Sequence, residues 1–285
     1  MSTQQDFTSS YKPTWCPGCG NFSIYPATKM ALAELGYEPH QVVMSFGIGC
    51  SSNGANFFNL YAFHGIHGRT LPAAVGIKLA NHKLLVIADC GDGDGYGEGL
   101  NHMIHDARGN LDINYFVHDN HLYSLTKGQM SPTTRKGMIT TSTPEGALNH
   151  PFNPLATAIV CGATFVAQAF SGDIAQMKDI FKKSMQHRGF SLVNILQICT
   201  TFNKVNDFAW YKKRLFKLED TGHDPSDYDK ALAAAKLDDD KIPTGVLFQV
   251  DRETYYDQLP ALKETPLVEQ SIDNIDITES LKSYT

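Results

Sequence analysis

Short apolar runs alternate with stretches of helical period along most of this chain. Residues 41–46 (QVVMSF), 84–90 (LLVIADC), 114–118 (NYFVH), 164–170 (TFVAQAF) and 191–198 (SLVNILQI) are nearly continuous in apolar side chains. A strand with one wet face alternates polar and apolar residues. A near-continuous run instead suits a strand covered on both faces, as in a parallel sheet. Between the runs, residues 22–35, 71–80, 96–108, 154–160 and 173–187 carry the period of helices. The clearest is 173–187, with Ile174, Met177, Ile180 and Phe181 on one face and Asp173 near its start. Strand–helix alternation predicts an α/β fold: a mostly parallel sheet, joined by right-handed crossovers and flanked by helices on both faces.

The pattern weakens from about residue 219. The stretch to residue 240 is acidic, residues 242–249 (IPTGVLFQ) form a late apolar segment, and residues 265–285 are acidic and sparsely apolar. Residues 1–218 are therefore expected to form the domain that carries the site, and residues 219–285 a C-terminal extension packing on that domain or on a partner. No internal repeat or low-complexity tract interrupts this plan. The 285 residues, 42% hydrophobic and 19% charged, suffice to bury a core. A net charge of −6 gives no electrostatic footprint for nucleic acid. No apolar run approaches a membrane span and residues 1–10 are polar, so the chain reads as cytoplasmic. Six cysteines in such a chain point to metal or catalysis rather than disulfides.

The candidate chemistry sits where the apolar runs end. Gly91-Asp92-Gly93 closes one run and Asp119-Asn120 another, with the 25 residues 94–118 between them. Magnesium takes about six oxygen ligands, usually some from phosphate and water. The Asp92 carboxylate and the Asn120 amide oxygen can supply two, and the Leu122 backbone carbonyl a third. Glycines around Asp92 let backbone N–H groups approach phosphate oxygens. Cys50 follows the first run and Cys199 ends the last, so four separate signals fall at strand ends, where open parallel sheets bind ligands.

Cys16-Pro17-Gly18-Cys19 holds two thiols in a turn; Cys50 lies in GIGCS and Cys199 in QICT. Four thiolates suit a [4Fe–4S] cluster or a four-cysteine zinc site, and the CxxC alone also fits a zinc knuckle or a redox pair. Cys90 and Cys161 lie in apolar surroundings and read as small hydrophobes. His102 and His105, three apart on a predicted helix, lack an evident third ligand and read as polar packing. Lys78, Arg69 and Arg108 fit cofactor contacts or, equally, surface and capping roles. Phe57, Phe58, Tyr61 and Phe63 read as core or interface.

GDG followed farther along by Asn is similar to the thiamine diphosphate fingerprint. Together with the four cysteines, the chain resembles the β subunit of 2-oxoacid:ferredoxin oxidoreductases. The likeness begins at KPTWCPGCGN (12–21) and runs through GIGCSS (47–52), HGRTLPAAVGIKLAN (67–81), GDGDGYGEGLNHMIHDARGN (91–110) and DNHLYSLTKGQMSPT (119–133). It continues in CTTFN (199–203) and IPTGVLFQ. The resemblance implies the thiamine diphosphate-binding fold and a reaction joining a 2-oxoacid (pyruvate or 2-oxoglutarate), coenzyme A and oxidised ferredoxin. The products are acyl-CoA, carbon dioxide and reduced ferredoxin.

Carried over by motif, Cys16, Cys19, Cys50 and Cys199 would hold a [4Fe–4S] cluster, and Asp92, Asn120 and the Leu122 backbone would hold Mg²⁺. Gly47, Ile48, Gly49, Ser51, Gly91, Gly93, Asp94, Leu125 and Thr126 would line thiamine diphosphate. His67 would face the cofactor, with Thr126 and Lys127 near its reacting end. Two positions depart from the family. Asn53 stands where many relatives carry a basic residue, which leaves the choice of 2-oxoacid open. Ser124 stands where glycine is common and is expected to change little. The resemblance also implies that the glutamate serving the aminopyrimidine ring comes from a partner α subunit. A non-redox thiamine decarboxylase subunit with a structural four-cysteine zinc site is the alternative expectation.

Overall fold

The apolar runs fold as strands because each buries both of its faces. The computed structural model describes residues 2–237, 240–262, 265–273 and 275–284. Helix α1 (Asn21–Glu34) precedes β1 (Val42–Phe46), followed by the short α2 (Gly54–Phe57) and β2 (Tyr61–His64). Next come α3 (Thr70–Ala80), β3 (Leu85–Gly91), α4 (Leu100–Gly109) and β4 (Asn114–Asp119). A small hairpin of β5 (Leu122–Tyr123) and β6 (Gln129–Met130) leads to α5 (Pro154–Val160), β7 (Phe165–Phe170), α6 (Ile174–Gln186) and β8 (Ser191–Leu196). The rest holds α7 (Phe208–Lys212), β9 (Leu215–Lys217), α8 (Tyr228–Ala235), β10 (Ile242–Gln249) and α9 (Thr278–Lys282).

Among the described residues eight strands form one sheet in the order β2-β1-β3-β4-β8-β7-β10-β9. From β2 to β7 all neighbours are parallel; β10 runs antiparallel to β7 and parallel to β9. The register lines up the carboxyl ends, with Phe46 opposite Asp89, Gly91 opposite His118 and Asp119 opposite Leu196. Loops leaving β1, β3, β4 and β8 therefore emerge on one edge.

Alternate strand residues feed two cores. Val86 and Ala88 join Tyr115, Val117 and Leu192 against α3, α4, α5 and α8. Leu85 and Ile87 join Phe116, Val193 and Ile195 against α1 and α6. There Phe116 stacks on Phe181 of α6, ring centroids 4.5 Å apart. Emptying such a site by Phe→Ala costs about 3–5 kcal/mol. Helices start at short polar side chains: Asn153 accepts from Ala156 N–H and Asp173 from Gln176 N–H, each satisfying a first-turn donor.

Three features depart from the pattern reading. The helix expected over 96–108 begins as a π-helical segment, Gly93–Glu98, before α4. Glycines at 93, 95, 97 and 99 make that irregular turn accessible, and such turns cluster at functional sites. Residues 61–64 form an edge strand with all four residues exposed, so the aromatic group splits: Phe57 and Phe58 are buried, Tyr61 and Phe63 are not. Alternation gave no sign of it, because an edge strand needs only one neighbour. Finally, β10 lies inside residues 219–285 yet is a strand of the main sheet, paired with β9 before that boundary. Among the described residues no helix is long and apolar enough to cross a membrane.

Asp106 on α4 has a buried carboxylate oxygen without a hydrogen-bond partner among the described residues, and burial pushes its pKa up to about 7. In an unfolded chain that pKa is about 3.9, so the folded state holds the proton more tightly. Stability then falls as pH rises from about 4 to 7, and the full penalty persists above 7. Asp106→Asn should therefore stabilise the fold at pH 8, by on the order of a few kcal/mol at most, with the gain fading toward pH 4. Thermal unfolding of both proteins across pH measures this; a gain that does not depend on pH would contradict it.

Candidate active site

The site is assembled around Asp94. Its Oδ1 accepts the Ile48 N–H (3.1 Å) and the Gly68 N–H (2.9 Å), and its Oδ2 accepts the Thr70 hydroxyl (3.0 Å). One carboxylate thus fixes the loops after β1 and β2 and the start of α3. Gly47 packs against it so closely that a Cβ would lie 2.1 Å from Asp94 Oδ2. Burial raises the Asp94 pKa, and the backbone and hydroxyl donors work against that rise. His67 Nδ1 lies 2.9 Å from Asp94 Oδ1 without an aligned hydrogen bond, and its ring meets Tyr123 edge-on.

Asp92 follows β3 and is 1% exposed. Its Oδ2 accepts the hydroxyls of Ser131 (2.5 Å) and Thr133 (2.8 Å), while Oδ1 has no protein partner among the described residues. Burial first, and then the nearby Asp119, push its pKa up to about 7. Asp119 shares the Thr133 hydroxyl at 2.7 Å. Burial presses Asp119 upward as well, but His121, the Thr133 hydroxyl and Asn194 outweigh it and hold the pKa below the usual carboxylate range. A buried acid with an unused oxygen is costly unless something positive meets it. That is the donor chemistry magnesium needs.

Asn120 follows β4. Its Oδ1 accepts the Leu122 N–H (3.2 Å) and the Ser124 hydroxyl (2.7 Å), and its Nδ2 donates to Gln197 Oε1 (3.0 Å). The loop beyond is held in uncommon backbone: His121 has φ +64° and Lys127 φ +79°. Such strain clusters at ligand sites.

A narrow cleft opens between these loops. Ile48, Gly49, Ser51, His67, Gly91, Asp92, Gly93, Asp94, Asn120, Leu122, Leu125 and Thr126 all line it, so the structure gathers most of the residues singled out in the sequence. Gly49, at φ +145°, takes a backbone conformation that a side chain would strain. A Cβ on Gly93 would strike the Tyr123 ring at 2.4 Å, so the main chain comes close to the cleft floor. Gly47 lies behind the cleft against Asp94, and Lys127 is exposed outside its lining. Sequence reasoning missed Ser131 and Thr133, which hold Asp92, and His118, Tyr123 and Gln197, which line the cleft. The hydroxyl-rich SPTT stretch at the end of the 119–133 motif was the available signal. A roomier cavity, about 320 Å³, lies across Asp119 against Trp210 and Tyr211, but Asp92 and Asn120 do not line it.

The four cysteines meet beside the cleft. Gly20 N–H donates to Ile198 O (3.0 Å), the Thr200 hydroxyl to Pro17 O (2.9 Å), and Trp15 Nε1 to Cys50 O (2.6 Å). These bonds bring the 16–19 turn, the β1 loop and the segment after β8 together. Burial pushes the thiol of Cys19 up to about 11 and that of Cys50 up to about 12, with neighbouring thiols adding to both. Cys90 is fully buried beside the Tyr115 hydroxyl, and Cys161 packs at the end of α5. His102 meets Arg69 (2.5 Å), and Lys78 pairs with Asp112 (2.7 Å), both away from the cleft lining.

This fold and cleft define a thiamine enzyme. Residues 40–195 match the family described as "Thiamine pyrophosphate enzyme, C-terminal TPP binding domain", and residues 199–264 match the family of the C-terminal part of the pyruvate ferredoxin oxidoreductase beta subunit. The chain is 42% identical over 256 residues to the 2-oxoacid:ferredoxin oxidoreductase subunit beta of Saccharolobus solfataricus, covering 86% of this chain and 84% of that one. It is 44% identical over 199 residues to the 2-oxoglutarate oxidoreductase subunit KorB of Mycobacterium tuberculosis, covering 70% and 53%. A solved 2-oxoglutarate:ferredoxin oxidoreductase from Magnetococcus marinus, with 2-oxoglutarate, coenzyme A and succinyl-CoA bound, superposes with a TM-score of 0.92. It is 37% identical, over 100% of this chain and 96% of that one. The chain belongs to the β-subunit family of 2-oxoacid:ferredoxin oxidoreductases.

Asp92→Ala should leave the fold intact, because its burial strains the protein, while thiamine diphosphate affinity in the presence of Mg²⁺ collapses. The loss should exceed the roughly 10–100-fold that removing a mere supporting partner of a metal ligand costs. Calorimetric titration measures it, and unchanged binding would refute the assignment.

Proposed function

We propose that this chain is the β subunit of a complex that oxidatively decarboxylates a 2-oxoacid, pyruvate or 2-oxoglutarate, with coenzyme A. The products are acyl-CoA and carbon dioxide, and the electrons pass through a [4Fe–4S] cluster to ferredoxin. One observation carries the reading: on a single sheet edge, a buried Asp92 with an unused oxygen shares a glycine-lined cleft with Cys50, whose loop is tied to the segments bearing Cys16, Cys19 and Cys199. Asp92, Asn120 and the Leu122 backbone would hold Mg²⁺, and Cys16, Cys19, Cys50 and Cys199 the cluster. Bound thiamine diphosphate supplies the electron sink for loss of carbon dioxide.

The chain's own residues do the rest. Asp94 sets the two loops that meet the diphosphate end. Ser131 and Thr133 hold Asp92 by one oxygen and leave the other for the metal. Four thiolates suit a cluster, whose irons take one thiolate each.

Among the described residues no glutamate lines the cleft, which supports a base for the aminopyrimidine ring supplied by a partner α subunit. The exposed edge strand β2 with Tyr61 and Phe63, next to Ile66 and His67, and exposed Leu125 on the far lip offer the surface for that partner α subunit. Asn53, at the end of the 3₁₀ turn Ser51–Asn53, can hydrogen-bond a substrate carboxylate but offers it no charge.

Anaerobic analysis should find about four iron and four sulfide per chain. Cys90→Ser and Cys161→Ser should keep them, and Cys19→Ser should lose most. Stoichiometric zinc without acid-labile sulfide would sink the redox reading in favour of a structural zinc site. The isolated chain should reduce no viologen dye with any 2-oxoacid and coenzyme A, and adding the α subunit should restore turnover; full activity of the chain alone would overturn the shared site.

A further inference from the structure

Asn120 stands between the two sites and reaches two of the cysteines through one side chain each. On one side the Ser124 hydroxyl, 2.7 Å from Asn120 Oδ1, also lies 3.5 Å from Cys199 Sγ. On the other, Asn120 Nδ2 donates to Gln197 Oε1, and Gln197 Nε2 lies 3.5 Å from Cys19 Sγ while donating to Asn21 Oδ1 at 2.6 Å. Asn120, Ser124 and Gln197 are all buried, so bulk water does not dilute these bonds.

Proton counting shows what must move. A hydroxyl has one proton to donate, and an amide oxygen has two lone pairs. Both lone pairs of Asn120 Oδ1 are engaged, by the Leu122 N–H and by Ser124. A magnesium ion at that oxygen needs one of them. The Leu122 N–H is fixed in the main chain, whereas the hydroxyl turns freely about its Cβ–Oγ bond. Ser124 is the donor that gives way, and Cys199 Sγ is the acceptor already within its reach.

The geometry points to Ser124 as a positioning residue that couples the cofactor site to the cluster: with Asn120 Oδ1 given over to a metal, the Ser124 hydroxyl would turn onto Cys199 Sγ. This rests on the magnesium and cluster reading above. No proton is transferred; the O–H bond reorients and its hydrogen bond changes acceptor. A hydrogen bond to a cluster thiolate favours the more negative, reduced cluster, so the reduction potential rises when cofactor is bound. The Gln197 arm acts with the same sign, because metal on Oδ1 makes Asn120 Nδ2 a stronger donor along that chain. The cluster becomes a better electron acceptor when the cofactor is in place. By linkage, the reduced cluster tightens cofactor binding by the same factor.

The test is an EPR-monitored redox titration of the αβ complex with and without Mg²⁺ and thiamine diphosphate. It compares the unaltered complex, Ser124→Ala and Ser124→Thr, each with its iron content measured. Loading should raise the potential of the unaltered complex by about 59 mV, the equivalent of a tenfold one-electron shift. Ser124→Ala should lose most of that rise, and Ser124→Thr, which keeps the hydroxyl, should retain it. Calorimetry should show thiamine diphosphate binding about tenfold tighter to the reduced than to the oxidised complex, and this difference should shrink in Ser124→Ala. An equal rise in the unaltered complex and Ser124→Ala, or no rise in either, overturns the coupling while leaving the cluster intact. A complex that binds cofactor but gives no reduced-cluster signal removes the cluster assignment, and the coupling with it.

Discussion

The Asp94 carboxylate is the constraint on which the cleft depends. Three donors from two loops and a helix start converge on its two oxygens, and no other group among those described links the same three segments. Buried N–H groups that lose their acceptor cost about 1–3 kcal/mol each, so both loops are held by the expense of leaving Ile48 and Gly68 unpaired. Close packing at Gly47 follows from the same arrangement, since a side chain there would displace the carboxylate. Although Asp94 and Asp92 stand two residues apart, they do opposite work. Asp94 spends both oxygens on the protein, whereas Asp92 spends one and keeps one.

That division explains how two acids can be buried so near each other. Asp119 is held ionised by His121 and by donors on both oxygens; Asp92 is left short, and its proton affinity rises. Thr133 touches both carboxylates, so it senses the charge of each. The fold therefore carries a deficit of positive charge localised at one oxygen. A divalent ion at that oxygen would fill such a deficit, while Asp119 faces the cavity on the other side.

Much of this was legible in the sequence because burial on both faces leaves a strong mark. The runs at 84–90 and 114–118 announced strands β3 and β4, and the chemistry stood at their ends. Periodicity could not reveal β2, whose four residues are all exposed, nor the antiparallel entry of β10, since pairing direction has no one-strand signature. The glycine-rich segment after Asp92 looked helical from residue 96, yet a π-helical turn comes first, because glycine removes the steric bias that period-counting relies on. Residues that act through contact rather than through type were also hidden. Ser131, Thr133 and Gln197 are ordinary polar residues in sequence, and only folding places them against Asp92 and Asn120.

The segments that carry Cys16, Cys19, Cys50 and Cys199 are held together by bonds that need no metal. The three chain segments that bear them are distant in sequence, yet Gly20 to Ile198, Thr200 to Pro17 and Trp15 to Cys50 tie them by bonds that use no sulfur. Gly18, at φ +76°, lets the turn between Cys16 and Cys19 close. Trp15 also packs edge-on against Phe22 and Phe57, anchoring the turn in the core beneath α1. The thiols need not pull the segments together, so any ligation there would go into deprotonating buried sulfurs rather than into ordering chain. Two of the non-thiol neighbours of those sulfurs, Ser124 and Gln197, are the same groups that fix Asn120. Rigidity at the cysteines and order in the cleft are consequently one property, and a change on either side has a short, buried path to the other.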